Sequence, residues 1–116
     1  MLKAKHKRYN DGVLWICEQP EQTSGFGAVR NQTRVSELTK LVKLSFHEMS
    51  KRDSDIEFAE SIGRQLSVKV KTIQHSAADA SKGVLIGDML YSIVKLDIDR
   101  RMHEMYLYLE EVRKLQ

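Results

Sequence analysis

The sequence predicts a mainly β fold, a small antiparallel β-barrel with one short α-helix and two long loops. Three observations lead there. Apolar residues alternate with polar ones at period two in several segments; the period lengthens to that of a helix only once; and short turn signals join closely spaced apolar runs in the last third of the chain. A chain of 116 residues has the length of one domain, so one core is expected. Such a domain buries roughly two-thirds of its unfolded-chain surface, enough to fold without cross-links.

The elements follow in order. Asn10-Asp11-Gly12 is a turn signal, and the β-branched and aromatic run from Val13 to Glu18 behind it predicts the first strand. Gln19 to Arg34 holds the only proline, Pro20, together with Thr23-Ser24-Gly25-Phe26-Gly27, and predicts the first long loop. Loops of that length in a compact domain are usually functional or disordered. From Glu37 to Met49, Leu38, Val42, Leu44 and Phe46 occupy even positions with Thr39, Lys43, Ser45 and His47 opposite, which is the pattern of a strand with one buried face. Leu41 is the exception on the outer face, and the first half of this segment also fits a helical period.

The period then changes. Ile56, Ala59 and Ile62, with Phe58 four residues before Ile62, describe a short amphipathic helix. Ser54 and Glu57 have the spacing of a capping box, and Gly63 marks the stop. Leu66, Val68, Val70 and Thr72 alternate with Ser67, Lys69 and Lys71 in another half-buried strand. Gln74 to Gly83, polar and small, predicts the second long loop. Val84 to Ile86, Met89 to Leu96 and Met102 to Val112 are strands joined by turns at Gly87-Asp88 and at Asp97 to Arg101. The long strands are bulky on both faces: Tyr91 and Ile93 against Leu90, Val94 and Leu96, then Tyr106 and Tyr108 against Met105, Leu107 and Leu109. An outer face of that kind needs a cover, either the helix or another subunit.

Net charge is +3, but its distribution says more than its total. Lys3, Lys5, Lys7 and Arg8 fall in the first ten residues without an acid among them, and the rest of the chain balances to about −1. The division expected is a basic flexible arm over residues 1–10 and a single barrel domain over 11–116. A body that gripped duplex DNA through its phosphates would carry a broad basic face, which this one lacks. Contact with DNA is expected from the arm or the loops.

No catalytic, cofactor or metal site is expected. His47-Glu48 and His103-Glu104 each begin the zinc-protease pattern, but Lys51 and Leu107 stand where its second histidine belongs. The nucleophile elbow and the phosphate-binding Gly-Lys-Ser/Thr loop are absent. His6, His47, His75 and His103 are dispersed. Cys17 stands alone, which excludes an intrachain disulfide and a thiolate cluster, and beside Trp15 and Ile16 it reads as a small core hydrophobe. Asp53, Asp55, Glu57 and Glu60 read as a solvated helix face whose first members favour the helix dipole. No apolar run reaches the length of a membrane span and no signal peptide is visible, so a cytosolic origin is expected.

Three stretches resemble the head closure, or head-tail joining, proteins of long-tailed bacteriophages. Tyr9-Asn10-Asp11-Gly12-Val13-Leu14 is similar to the opening of many members. Lys40 to Ile73 resembles the family's strand, acidic helix and strand leading into a mobile loop. Val84 to Val94, with Asp97 to Arg101 and Tyr106 to Glu110, resembles its final hairpins. The resemblance implies a non-enzymatic virion protein, made in the host cytoplasm, that forms a ring of copies of itself at the head-tail interface. That ring would sit beneath a portal or adaptor ring, close the DNA channel after packaging, and meet a tail terminator or tail completion protein. Lys3, Lys5, Lys7, Arg8 and Lys82 are then candidates for contact with DNA in the channel lumen. Phe26, Arg30, Asp55, Phe58 and His75 are candidates for contact between subunits or rings. Two competing readings are a tail completion protein, from which a more helical pattern is expected, and a basic-armed nucleic-acid-binding barrel.

Overall fold

Period-two segments become barrel staves. The structure, a computed structural model, describes residues 9–18 and 38–115. In chain order these form β1 (Gly12–Cys17), β2 (Lys40–Met49), α1 (Asp53–Ser61), β3 (Val68–Ile73), β4 (Gly83–Ile86), β5 (Met89–Asp99) and β6 (Glu104–Lys114). All neighbouring strands are antiparallel, and they close in the order β1-β2-β3-β6-β5-β4. The chain is therefore a closed six-stranded antiparallel β-barrel with one helix, as its alternation predicts. The predicted loop Gln19 to Arg34 and the arm before Tyr9 lie outside the described residues.

The barrel is filled from alternate positions. Leu14 and Ile16 of β1, Leu44 and Phe46 of β2, Val70 of β3, Val84 of β4, Tyr91 and Ile93 of β5, and Met105, Leu107 and Leu109 of β6 form one buried cluster. The first half of the second predicted strand is not helical, because from Lys40 onward it is paired to β1. Leu41 escapes the alternation for a local reason. Lys40 faces Cys17 and Val42 faces Ile16, so Leu41 is the extra residue of a β-bulge and stays exposed.

A second bulge corrects the predicted faces of β5. Ile93 pairs with Leu109 and Lys95 with Tyr108, which leaves Val94 unpaired and reverses the alternation beyond it. Leu96 consequently packs against the core on the side of Tyr91 and Ile93, and is not opposite them. The last turn is also shorter than predicted. Asp97, Ile98 and Asp99 remain in β5, paired with Tyr106, Met105 and Glu104, and the reversal is made by Arg100 to His103, where His103 takes a φ of 56°. The other hairpin keeps its predicted two-residue turn, with Gly87 at φ 62° in the first central position that primed turns reserve for glycine.

The helix is capped two residues before the predicted Ser54. Arg52 is its N-cap, and the Arg52 backbone N–H donates to Asp55 Oδ2 at 3.0 Å, so the back-bond of the capping box comes from Asp55 and not from Glu57. Gly63 ends the helix as predicted, at φ 75°: its N–H donates to Glu60 O (3.0 Å) and the Arg64 N–H to Ala59 O (2.9 Å), the paired bonds of a Schellman motif.

Between β3 and β4 the predicted second loop is a pair of consecutive turns and not a loose segment. Ala78 N–H donates to His75 O and Lys82 N–H to Asp79 O, at 3.2 and 3.0 Å. Ala78 is buried with the barrel core and Ala77 packs beside it, so this loop fills one end of the barrel.

The outer wall is covered in two places. Cys17, Leu38, Leu85 and Leu115 form a second apolar cluster with Trp15 and Leu90 outside β1, β4 and β5. On the other side, α1 lies over β3, β6 and β5. Of the two covers predicted for the outer face of the tyrosine strands, this one is the helix.

Candidate functional site

The site grows from the way α1 is fastened. Lys69 alternates outward on β3, where a lysine would ordinarily reach solvent, yet only 5% of it is exposed. Its ammonium lies 3.0 Å from Asp55 Oδ2, on the inner face of the helix. Burial alone would push the Asp55 carboxyl upward, but the Arg52 N–H, the Lys69 ammonium and the Arg52 guanidinium together hold it below its ordinary value. Asp55, expected as a contact between subunits, is thus buried and paired within the chain, where it docks the helix. The far end of the helix is fastened by Arg64. Its Nε donates to Glu110 Oε1 at 2.8 Å and its Nη1 to Ile93 O at the Val94 bulge, 3.3 Å away, while Nη2 reaches Ser92 Oγ. Arg64, opposed by partial burial and helped by the Gln65 N–H, holds Glu110 below the usual carboxylate range.

Of the outward tyrosines of β6, Tyr108 is level with the Lys69 anchor and next to the Glu110 one, while Tyr106 lies beyond Lys69, level with Lys71. Tyr108 is buried, with the ammonium groups of Lys69 and Lys95 each 5.1 Å from its ring centre. Its hydroxyl donates to Asp97 Oδ2 at 3.1 Å, and burial reinforced by that bond pushes its pKa up to about 12. Lys95 also lies over Phe58 of the helix, at 4.8 Å. Phe58 keeps 41% exposure, so of the contact candidates on α1 it is the one open to a partner.

Beyond the N-terminus of α1, the end of β2 and the tip of the β5–β6 hairpin enclose an open cleft of about 890 Å³. Tyr106, Tyr108 and Lys69 line it together with Met49 and Ile98, and Arg52, Arg100 and Arg101 supply its guanidinium groups. Asp97 and Asp99 are also present, but both are engaged: Asp97 accepts from Tyr108, and Asp99 Oδ1 accepts the Met102 N–H at 3.3 Å. The volume falls within the range of ligand-binding clefts.

The remaining predicted residues are scattered. His75 is exposed on the β3–β4 loop, and its Nδ1 accepts the Ala77 N–H at 3.0 Å. Lys82 sits at the other end of that loop, 3.7 Å from Asp79. Lys3, Lys5, Lys7, Arg8, Phe26 and Arg30 lie outside the described residues. His47 and His103, which begin the two incomplete zinc patterns, are on β2 and on the last turn; His47 Nδ1 pairs with Asp11 Oδ2 at 3.0 Å. Among the described residues no three His, Cys, Asp or Glu side chains gather into a group that could hold a metal ion. Cys17 is buried, and burial, opposed by Lys40 and the Leu85 N–H, raises its thiol pKa, which disfavours the thiolate.

Residue-by-residue reading missed the cleft. Its one visible signal was the pair Arg100-Arg101 at a hairpin turn, which the charge balance of the body conceals. No family model matches the chain, and no curated protein matches it.

Proposed function

We propose that this protein is a head closure subunit of a long-tailed bacteriophage, a structural component that acts in a ring between head and tail without catalysing a reaction. One observation carries the reading: the stretches that resemble that family fall on successive elements of one closed barrel. Tyr9 to Leu14 opens β1, Lys40 to Ile73 forms β2, α1 and β3, and Val84 to Val94 forms most of the β4–β5 hairpin. The architecture suits the role physically. A closed barrel leaves few strand edges for unplanned pairing, and a helix fastened at both ends makes the wall rigid. Contacts with other rings then fall to loops and hairpin tips, which adapt without disturbing the core. The single nine-residue helix among the described residues favours head closure over a tail completion protein.

The partners under this reading are further copies of the chain, a portal or adaptor ring on one side, a tail terminator or tail completion protein on the other, and DNA in the channel. Deletion of the gene from the phage genome that carries it tests the reading. DNA-filled heads that leak their genome should accumulate beside free, complete tails, and supplying the protein in trans should restore joined virions. Normal infectious particles after deletion would falsify the assignment.

A further inference from the structure

We infer that the cleft between the N-terminus of α1 and the β5–β6 hairpin tip is a docking site for an acidic peptide segment of a partner protein, one that carries apolar side chains between its carboxylates. This goes beyond the proposed place in a virion and does not depend on it.

The charges of the cleft are unevenly engaged. Its two lining carboxylates are engaged within the chain, Asp97 by the Tyr108 hydroxyl and by Lys95 Nζ at 3.6 Å and Asp99 by the Met102 N–H, and Asp55, which pairs with the lining residues Lys69 and Arg52, is buried. Two of the cleft's three guanidinium groups are not engaged. Arg100 and Arg101 are exposed and make no ion pair or hydrogen bond with any described residue. Arg52 has 70% of its side chain exposed, and its contact with Asp55 is a loose 3.5 Å. Arg100 and Arg101 outweigh Asp99, the lining carboxylate with no cation partner among the described residues, so the uncompensated charge of the cleft is cationic on balance, in the residue type whose planar fork pairs with two oxygens at once.

The lining decides between anions. Met49, Ile98 and the face of Tyr106 supply apolar surface beside the guanidinium groups, and Met102, next to the arginine pair, is 49% exposed. A polyphosphate strand would want a continuous basic track along its length, which Arg52, Arg100 and Arg101, interrupted by Asp97 and Asp99, do not make. A peptide whose carboxylates are separated by apolar side chains matches both features: its carboxylates reach the arginines and its apolar side chains reach methionine, isoleucine and tyrosine. Flexible methionine suits a surface that takes varied apolar side chains.

Fluorescence anisotropy of the full chain with a labelled peptide alternating glutamate and leucine tests this, beside the matching lysine-leucine peptide and a labelled oligothymidylate. The glutamate peptide should bind saturably and the lysine peptide should not. The double substitution Arg100→Ala/Arg101→Ala should weaken binding by at least about tenfold. Both residues are exposed on a turn, and circular dichroism checks that the barrel persists. Arg100→Glu/Arg101→Glu should reverse the preference toward the lysine peptide. No saturable binding of the glutamate peptide overturns the inference, as does binding that survives the charge reversal. Arginine-dependent binding of oligothymidylate in place of the peptide overturns it too and identifies a nucleic-acid surface.

Discussion

On one side of the barrel α1 is held beside Tyr108 by a buried lysine–aspartate pair at one end and by an arginine clamp at the other. On the other side Leu38 and Leu115 close over Cys17 and Leu85 by apolar contact. Both covers exclude water from an outward-facing wall, but they differ in what they specify. Apolar contact is non-directional and tolerates small shifts. A buried ion pair gives little net stability, yet it is costly to leave half made, so it dictates where the helix must sit. The cleft depends on that placement, since Arg52 lines it from the docked end of the helix and Lys69 from the strand beneath.

The largest break in this comparison should come from removing half of the ion pair. Asp55→Ala leaves Lys69 buried without its carboxylate and should destabilise the fold by about 4 kcal/mol, read from urea denaturation, whereas Asp55→Leu with Lys69→Met should fall within about 1 kcal/mol of the parent. If the single and the double variant lose equally, the pair does not govern the docking. On the apolar side, Leu85→Ala should cost about 3 kcal/mol through the lost burial and the cavity left behind. That loss should be the same at pH 7 and at pH 3, because no charge is involved.

The smallest effect sharpens the contrast by pH. Asp55 titrates below its ordinary value of 3.8 when folded, so the stability it contributes is fully present above that value and is lost as pH falls through the folded pKa. The urea midpoint of the parent should drop more between pH 5 and pH 2 than that of the Asp55→Leu/Lys69→Met variant. Equal slopes would show that carboxylates elsewhere, Glu110 among them, account for the acid sensitivity.

These contrasts also mark what could be read before folding. The staves were legible, because burial on one face imprints period two on Leu44 and Phe46, or on Val70 and Thr72, whatever lies across the barrel. The helix stop was legible in Gly63, a single residue with one backbone demand. Lys69 was not. Its position in the alternation says outward, and outward ordinarily means wet; only the docking of α1, fourteen positions away at Asp55, turns that face inward. The Val94 bulge was hidden likewise, since Val94 and Leu96 are both apolar and nothing local tells which of them pairs. The cleft is assembled from the end of β2, the N-terminus of α1 and the β5–β6 tip, which no window of sequence contains together.

The shortest stave has a consequence for how the chain reaches this structure. β4 holds four residues and joins β1 through only three aligned positions, Trp15 with Leu85, Ile16 with Val84, and Cys17 with Gly83. Its other neighbour, β5, is a hairpin partner that forms locally and quickly. The β1–β4 seam instead joins the first strand to one that follows β2, α1 and β3 in the chain, and repays its loop-closure entropy with few bonds. Closure at this seam is therefore the step expected last in folding, and hydrogen exchange at Val84 and Leu85 faster than at Leu107 and Leu109 would mark it as the place where the barrel opens first.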